Sequence, residues 1–369
     1  MRIAQVAPLW ESVPPKLRGG TEQTVSYLTE ELVRLGHDLT LFASGDSITT
    51  ARLDAICAQS LRSNAAIINR RAPMTLLMER AFGNTSDFDI IHSHLDFVGF
   101  PFARRNPTPT VTTFHNRLDL PELVPVFREY AEMPMVSISD AQRTPVLGTN
   151  WQSTVYYGLP RDLYQLHPNP GHYLAFLGRL APDKRPDHAI ELAKRVGIPL
   201  RIAGKIDPED EEYFRTTVKP LLAPPLIDYL GDIPEAEKRD FLGQAMALVC
   251  PYDRPEPFEL VLIEALASGT PVLAYRHGSI PEIIEDRSTG LVCEGLDAMT
   301  DAIKGVPELD RRRCRRSFEE RFTVERMVQN YLRVYERVLN RETSFARVKL
   351  SPGIESKLLP AQEALKLIT

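Results

Sequence analysis

The segment that decides the fold is Glu256-Pro-Phe-Glu-Leu-Val-Leu-Ile-Glu264, followed by Ala265-Leu-Ala-Ser-Gly-Thr-Pro-Val272. Glu256 lies in a proline-rich stretch, and the apolar run after it predicts a helix that Gly269 ends before a buried strand. The start of such a helix presents unpaired backbone N–H groups and the positive end of the helix dipole, which favour a phosphate group. Glu256 and Glu264 would flank this anion and bind hydroxyl groups, so the segment predicts a nucleotide-sugar site.

The length and composition of the chain indicate a globular protein of two domains. At 369 residues the chain exceeds the size at which a single core stops growing, and hydrophobic residues (43%) and charged residues (25%) occur in ordinary proportion. The formal net charge of -5 argues against a nucleic-acid-binding protein, because such proteins are usually basic.

The cysteines and the apolar runs bear on the location of the protein. Its four cysteines have no CxxC spacing, so they indicate neither a zinc site nor a disulfide framework and fit a reducing cytoplasm. The chain opens directly on a strand pattern, and no run reaches the roughly 18 to 20 apolar residues of a transmembrane helix. We expect a soluble cytoplasmic protein, with peripheral membrane contact left open and with no sequence signal for an oligomeric state.

Short apolar runs alternate with helical patterns along the chain, which predicts βαβ units and parallel sheets. We therefore predict an α/β fold of two facing Rossmann-like domains, residues 1–167 and 168–340, followed by a tail at 341–369. Ligands are expected in the cleft between the domains, because they bind at the carboxyl ends of parallel strands. The predicted strands are at residues 3–7, 38–42, 90–94, 110–114, 135–138, 155–160, 173–177, 200–203, 227–230, 247–250, 271–274 and 290–292.

Two glycine-containing loops supply further groups for an anion or a sugar. Gly178-Arg-Leu-Ala-Pro-Asp-Lys184 directly follows a predicted strand, and its Arg179 and Lys184 could neutralise a diphosphate. Arg18-Gly-Gly-Thr-Glu22 lies before a predicted helix. Its exposed N–H groups could bind an anion or a sugar hydroxyl, or the glycines could form a structural turn.

Three histidines fall near the predicted cleft. His92 and His94 share one face of a strand, and His94 ends that strand where cleft residues are expected. With His115 they could form a metal site, but we favour one packed histidine and one polar cleft residue over zinc. Asp87-Phe-Asp89 has the form of a D-x-D metal–diphosphate motif and is interpreted as a turn, so no metal is predicted.

The acid spacing together with Ala-Leu-Ala-Ser-Gly-Thr-Pro-Val resembles the donor-site signature of glycosyltransferase family 4, retaining enzymes of the GT-B fold that use nucleotide-diphosphate sugars. The resemblance implies that Glu264 binds the ribose, and that Arg179 and Lys184 bind the diphosphate. It implies that Glu256 binds a hexose hydroxyl and that His94 contacts the transferred sugar. Further donor contacts are implied for Gly19, Gly20, Phe258, Leu260, Val261 and Ile233.

One position departs from the family pattern. The family usually has glycine where this chain has Glu259, at the helix entry beside the diphosphate. A carboxylate there would repel a phosphate if it pointed inward, so either Glu259 points away or the phosphate binds differently.

Three other segments carry expectations of their own. The tail, residues 341–369, is expected to pack back on the first domain. The basic run at 311–316 is interpreted as a solvated helix face, or as a contact with an anionic membrane or acceptor. Glu282 lies in the stretch after the predicted donor helix and is expected to cap that helix.

Taken with the resemblance, these features predict a retaining glycosyltransferase that moves a hexosyl unit from a nucleotide-diphosphate sugar to a hydroxyl acceptor, which is a glycan, a lipid or a small molecule. No cofactor is expected, because the nucleotide-sugar is itself a substrate. The alternatives are a GT-B epimerase or phosphorylase, and a non-catalytic sugar-nucleotide binder. The binder is favoured only if Glu259 disrupts the phosphate site.

Overall fold

The computed structural model describes residues 1–16, 19–83 and 87–349, with side chains as far as residue 340. The chain forms two Rossmann-like domains, each built on one parallel β-sheet with helices on its faces. The predicted two-domain α/β fold is therefore confirmed. Most of the predicted tail lies outside the described residues, and the domain boundary near residue 167 stays a prediction.

The first sheet has seven parallel strands in the order β3-β2-β1-β4-β5-β6-β7, and the second has six in the order β10-β9-β8-β11-β12-β13. In each sheet the chain order reverses beside a central strand, which is where ligands bind in folds of this kind. The strands are β1 Arg2–Val6, β2 Asp38–Ala43, β3 Arg52–Ala55, β4 Ile90–Ser93, β5 Thr110–Thr113, β6 Met135–Ser137, β7 Trp151–Thr154, β8 Leu174–Leu177, β9 Leu200–Ala203, β10 Ile227–Tyr229, β11 Ala247–Cys250, β12 Val272–Tyr275 and β13 Gly290–Cys293.

The helices connect these strands and cover both faces of the sheets. Pro186–Val196 ends at Gly197, a glycine with positive φ, as the sequence rules for helix termini predict. The helices are α1 Gly20–Arg34, α2 Arg71–Gly83, α3 Phe100–Ala103, α4 Leu123–Glu129, α5 Asp140–Arg143, α6 Pro186–Val196, α7 Glu211–Tyr213, α8 Glu235–Gly243, α9 Leu260–Ala267, α10 Ile280–Ile283, α11 Leu296–Ala302, α12 Arg311–Arg321 and α13 Val324–Lys349.

Two edge strands of the first sheet differ from the prediction. The strand predicted at 155–160 is wrong, because β7 lies at Trp151–Thr154 and the apolar run after it links the two domains. The strand β3 was not predicted at all. Both edge strands have partly exposed or polar side chains, so neither shows the apolar run that marks a buried strand.

The last helix, α13, leaves the second domain and packs on the first. Its buried residues Val328, Tyr331 and Tyr335 join the core formed by β1, β2 and α1. The Tyr335 hydroxyl forms a 2.7 Å hydrogen bond with Nδ1 of His92 on β4. Residues before 340 thus return to the first domain, and the packing expected of residues 341–369 stays a prediction.

The basic run in α12 is largely structural. Arg311 is 5% exposed, and its guanidinium donates to the carbonyl oxygens of His167, Gly243 and Ala245 at 2.6–2.9 Å. Arg315 likewise donates to backbone carbonyl oxygens. The interpretation of the run as a solvated face is therefore wrong for these two arginines, which attach α12 to the segment between the domains. No helix among the described residues is long and apolar enough to span a membrane.

We predict that Arg311→Met lowers the free energy of unfolding by about 3 kcal/mol, because it leaves buried carbonyl oxygens without a donor. Urea unfolding followed by circular dichroism measures this change. The control is Arg312→Met, which alters an exposed side chain of the same helix and should change stability by less than about 0.5 kcal/mol. Equal losses for the two variants would contradict the structural role of Arg311.

Candidate functional site

A cavity of about 370 Å³ opens between the two domains, beside β8 and the start of α9. Its volume lies in the range of small-molecule sites, and both domains contribute to its wall. The first domain contributes Gly19, Gly20, Thr21, Gln23, Tyr27, His115 and Tyr157, and the second contributes Arg179, Lys184, Glu235, Lys238, Tyr252, Phe258, Glu259, Leu260, Val261 and Glu264. The site therefore lies in the cleft, and eight of the predicted site residues line this one cavity.

The glycine loop of the first domain approaches α9 closely. A Cβ added to Gly20 would lie 3.4 Å from Cδ1 of Leu260, and one added to Gly19 would lie 2.7 Å from Oε2 of Glu22. A methyl group at Gly20 would thus touch α9 at ordinary contact distance, and one at Gly19 would force the Glu22 carboxylate to move. These glycines bring the backbone of the first domain against the wall of the cavity.

Helix α9 begins at Leu260 and directs its amino end at the cavity. Its N-cap residue is Glu259, whose side chain makes no capping hydrogen bond. The N–H group of Leu262 donates to the Glu259 carbonyl oxygen at 3.2 Å, so the N–H groups of Leu260 and Val261 are the ones that face the cavity at the positive end of the helix dipole. The helix ends at Ala267, before Gly269 with φ of 79°, as predicted.

The Lys184 ammonium group lies between two carboxylates at the start of α9. Its Nζ is 2.8 Å from Oε1 of Glu256, and it also pairs with Glu259. Nζ lies 4.4 Å from the centre of the Tyr252 ring, which adds a cation–π contact. Burial lowers the pKa of Lys184, but the carboxylates of Glu259 and Glu256 outweigh it and raise that pKa above its ordinary value.

Glu259 lies where the resembled family usually has glycine, and its carboxylate points toward the cavity. The side chain is 16% exposed and is paired with the lysine that was predicted to bind phosphate. Burial raises the pKa of the Glu259 carboxyl, whereas the charge of Lys184 lowers it, and the net direction is upward. Of the two expected outcomes, the one in which Glu259 points away is wrong.

Arg179, the other predicted diphosphate ligand, is surrounded by carboxylates. Its guanidinium nitrogens lie 2.8 Å from Asp210 and 3.2 Å from Asp183, with Asp207 and Glu209 within 4.0 Å. Asp207, Glu209 and Asp210 are close enough together to hold a metal ion, but Arg179 already neutralises part of their charge. Arg179 therefore lines the cavity, and its guanidinium group is already paired with acidic side chains.

Glu256 lines a second, smaller cavity of about 200 Å³ on the other side of its pair with Lys184. Arg117, Asp119 and Gln142 of the first domain form the opposite wall of this cavity. The two acids of the signature thus lie on different cavities, and Glu264 lines the larger one. Lys184 connects the cavities through its pair with Glu256.

The predicted sugar contact, His94, is 2% exposed and does not line the cavity. Its Nε2 donates to the Gln5 amide oxygen at 2.7 Å, so its Nδ1 accepts from Nε2 of His115 at 2.9 Å. Nδ1 of His115 in turn accepts from the Tyr157 hydroxyl at 2.7 Å. His115 and Tyr157 thus face the cavity while His94 lies behind them, and its contact with a sugar stays a prediction.

Other residues were placed differently or were missed by the sequence reasoning. Ile233 is 9% exposed in the core of the second domain and does not line the cavity. Tyr157 falls in the apolar run that was interpreted as a strand. Glu235 and Lys238 lie in the polar helix α8, where no motif marks them.

A second contact between the domains involves Glu282 of α10. Its carboxylate accepts from the N–H groups of Asp140 at 2.8 Å and Ala141 at 2.6 Å, at the start of α5 in the first domain. The Tyr156 hydroxyl donates to it at 3.1 Å. Glu282 therefore caps α5 of the opposite domain, and the expectation that it caps the donor helix is wrong.

Two family models match this chain. The model of the glycosyl transferases group 1 matches residues 165–320, and the model of Glycosyltransferase Family 4 matches residues 18–142. The chain belongs to glycosyltransferase family 4. The first match contains β8 and α9, and the second contains most of the first domain, so each half of the cleft is covered.

Relatives in sequence and structure agree with this assignment. The phosphatidyl-myo-inositol mannosyltransferase of Mycolicibacterium smegmatis is 26% identical over 347 residues, which cover 85% of this chain and 86% of the relative. The D-inositol 3-phosphate glycosyltransferase of Nocardia farcinica is 29% identical over 283 residues, with 62% and 60% covered.

Solved structures share the fold, which is GT-B. The sucrose-phosphate synthase of Thermosynechococcus elongatus has a TM-score of 0.74 at 17% identity, with 92% of this chain and 100% of that chain covered. HepE of Anabaena, solved in complex with UDP and glucose, has a TM-score of 0.70 at 15% identity, with 91% and 99% covered.

The buried histidine chain predicts a pH dependence of stability. Burial lowers the pKa of His115 to about 3 from an ordinary value of 6.5. Between these values His115 is neutral in the folded protein and charged in the unfolded one, so the free energy of unfolding falls as the pH falls through this window. Above it the effect is absent. His115→Gln should make the fall shallower by up to about 1.4 kcal/mol per pH unit.

Urea unfolding at several pH values between 4 and 7 measures this slope. The control is His277→Gln, which alters an exposed histidine and should leave the slope at its wild-type value. Parallel curves for His115→Gln and the wild type would show that His115 does not titrate as its burial requires.

Proposed function

We propose that this protein transfers a hexosyl unit from a nucleotide-diphosphate sugar to a hydroxyl acceptor, with retention of anomeric configuration. The observation that carries the proposal is the convergence of Arg179, Lys184 and Glu264 with the amino end of α9 in one cleft cavity. The relatives named as mannosyl- and glycosyltransferases support it, as does the complex of HepE with UDP and glucose.

The donor would lie along the cavity with its parts on different residues. Glu264 would accept hydrogen bonds from the ribose hydroxyls, and the diphosphate would bind the N–H groups of Leu260 and Val261 together with Arg179 and Lys184. The hexose would extend toward Glu256, where the second cavity begins.

The hydrogen-bonded chain of His94, His115 and Tyr157 is the proposed sugar contact of the first domain. The His115–Tyr157 pair is the face of that chain that lines the cavity. We propose that this pair meets the transferred sugar, and that His94 acts through His115 by fixing the orientation of its ring.

Charge stabilisation would drive the chemical step. As the bond between the sugar and the diphosphate breaks, negative charge grows on the leaving phosphate, and Arg179, Lys184 and the helix dipole stabilise it. The leaving diphosphate can accept the proton of the attacking hydroxyl group, so no protein nucleophile is required. Retention and independence of metal ions are proposed from the family pattern, and no cofactor is assigned.

The state of the cysteines bears on the location of the protein. The four cysteines are all free, which fits a reducing compartment, and we propose that the protein acts in the cytoplasm, with peripheral membrane contact left open.

The inward position of Glu259 favours a second candidate function, a non-catalytic sugar-nucleotide binder. A binder would release no nucleotide from a nucleotide-sugar.

We predict that one of UDP, GDP and ADP binds the wild-type protein and that Glu264→Ala weakens this binding at least about tenfold, because it removes a charge-assisted hydrogen bond. Isothermal titration calorimetry measures the dissociation constants. Glu294→Ala removes an acid with an exposed side chain that lies outside the cavity, and it should bind as the wild type does. Failure of all three nucleotides to bind would overturn the proposal.

Turnover and stereochemistry form a separate test. With the nucleotide-sugar of the bound base and a set of hydroxyl acceptors, nucleotide release should accompany formation of a glycoside with the donor's anomeric configuration, and added EDTA should leave the rate unchanged. Proton NMR of the product assigns the configuration. An inverted product, or nucleotide binding without release, would contradict the transferase proposal.

A further inference from the structure

The Glu259 carboxylate is paired with a group that the proposed donor phosphate would also bind. It is seated on the Lys184 ammonium group, at the residue directly before the first turn of α9. A phosphate at that position would need the same lysine and the same helix end. Carboxylate and phosphate are both anions that accept hydrogen bonds, so they compete for these groups.

The formal charge of the cavity increases the effect of this competition on the binding of an anion. Its wall holds three cations, Arg179, Lys184 and Lys238, and three carboxylates, Glu235, Glu259 and Glu264. The acids around Arg179, and Glu256 beside Lys184, add negative charge just behind the wall. The described part of the chain therefore offers a nucleoside diphosphate no excess of positive charge in this cavity, and every carboxylate that stays ionised opposes its binding.

Glu259 makes no use of the helix end beside it. As the N-cap residue of α9 it could accept from the N–H groups of the first turn, yet its side chain makes no such hydrogen bond. The carboxylate turns to Lys184 instead. The N–H groups of Leu260 and Val261 therefore remain available to a ligand, while Lys184 is paired with carboxylates of the protein.

We propose that Glu259 is an internal competitor of the donor, so that the diphosphate displaces its carboxylate from Lys184 and the affinity for the donor is set by the charge at this position. This inference rests on the proposed function and names the regulation of the same site. Neutralising Glu259, by substitution or by protonation, frees Lys184 and strengthens donor binding. Glu259 thus sets the affinity for the donor through its pair with Lys184.

Several charged or titratable groups face Glu259 and belong to the same balance. Lys184 and Asp183 lie in the loop after β8, and Glu256 lies in the loop before α9. Cys250 and Tyr252, at the end of β11, also interact with its charge. All five are unchanged in a Glu259 variant, so a comparison with the wild type isolates Glu259. The upward shift of the Glu259 pKa by burial agrees with a carboxyl group that takes up a proton when a phosphate approaches.

The test is calorimetric titration of UDP, GDP and ADP into the full-length wild type and into Glu259→Gln at pH 7.5. We expect the variant to bind the preferred nucleotide about tenfold more tightly, because it has lost a like charge a few ångströms from the phosphate. The control is Asp297→Asn, which removes an equal charge from a side chain that is 95% exposed and remote from the cavity, and should bind as the wild type does.

A second measurement uses the pH. The advantage of Glu259→Gln over the wild type should shrink as the pH is lowered, because burial raises the pKa of the Glu259 carboxyl group and its charge is lost earlier than that of an exposed carboxyl group. The protonation of the nucleotide affects both proteins equally and cancels in their ratio. An advantage that grows as the pH falls, or an affinity of the variant equal to or below that of the wild type at pH 7.5, would overturn the inference.

A third arm uses a second variant and remains available if Glu259→Gln does not fold. Glu259→Gly also removes the carboxylate from Lys184, and it should bind the preferred nucleotide more tightly than the wild type does in the same titration. Binding equal to or weaker than that of the wild type would overturn the inference. If no nucleotide binds either protein, the proposed function fails, whereas equal binding by both leaves that function intact and removes only the role of Glu259.

Discussion

The Lys184 ammonium group holds two carboxylates together at the start of α9, and the character of the cleft depends on this arrangement. A buried lysine without such partners would be costly, and two buried carboxylates without the lysine would repel each other. The pairs with Glu256 and Glu259 resolve both costs. They also link the two cavities, because Lys184 lines the larger cavity and is paired with Glu256, which lines the smaller one. We propose that a donor binds by rearranging these ion pairs.

The fold provides the geometry in which this ion-pair group can act. Parallel strands direct their carboxyl ends to one edge of each sheet, so loops from both domains meet in the cleft. Helix α13 packs on the first domain, and Glu282 caps a helix across the cleft, so the two domains are connected at several points besides the chain between them. The close approach of Gly20 to Leu260 places the first domain against α9. Of these connections, the contact of Gly20 with Leu260 lies at the wall of the larger cavity.

Much of this arrangement was predictable from sequence, and the failures have physical causes. The apolar run before Gly269 and the strand after it marked α9 correctly, because burial on all sides gives an unambiguous signal. Edge strand β3 gave no such signal, since half of its surroundings are solvent. Spacing showed that His94 ends a strand, but not that His115 would cover it. The orientation of Glu259 was undetermined because it depends on Lys184, which is distant in sequence. Local patterns predict elements, whereas pairings between distant residues require the fold.

The most direct test of this account is a crystal structure of the protein with the nucleoside diphosphate that it binds. We predict that the ribose contacts Glu264, and that the phosphates contact Lys184 and the first N–H groups of α9. The Glu259 carboxylate should have moved away from Lys184. A nucleotide bound outside the cleft would contradict the assignment of the site. A diphosphate at α9 with the pair of Lys184 and Glu259 intact would contradict the competition between the carboxylate and the phosphate.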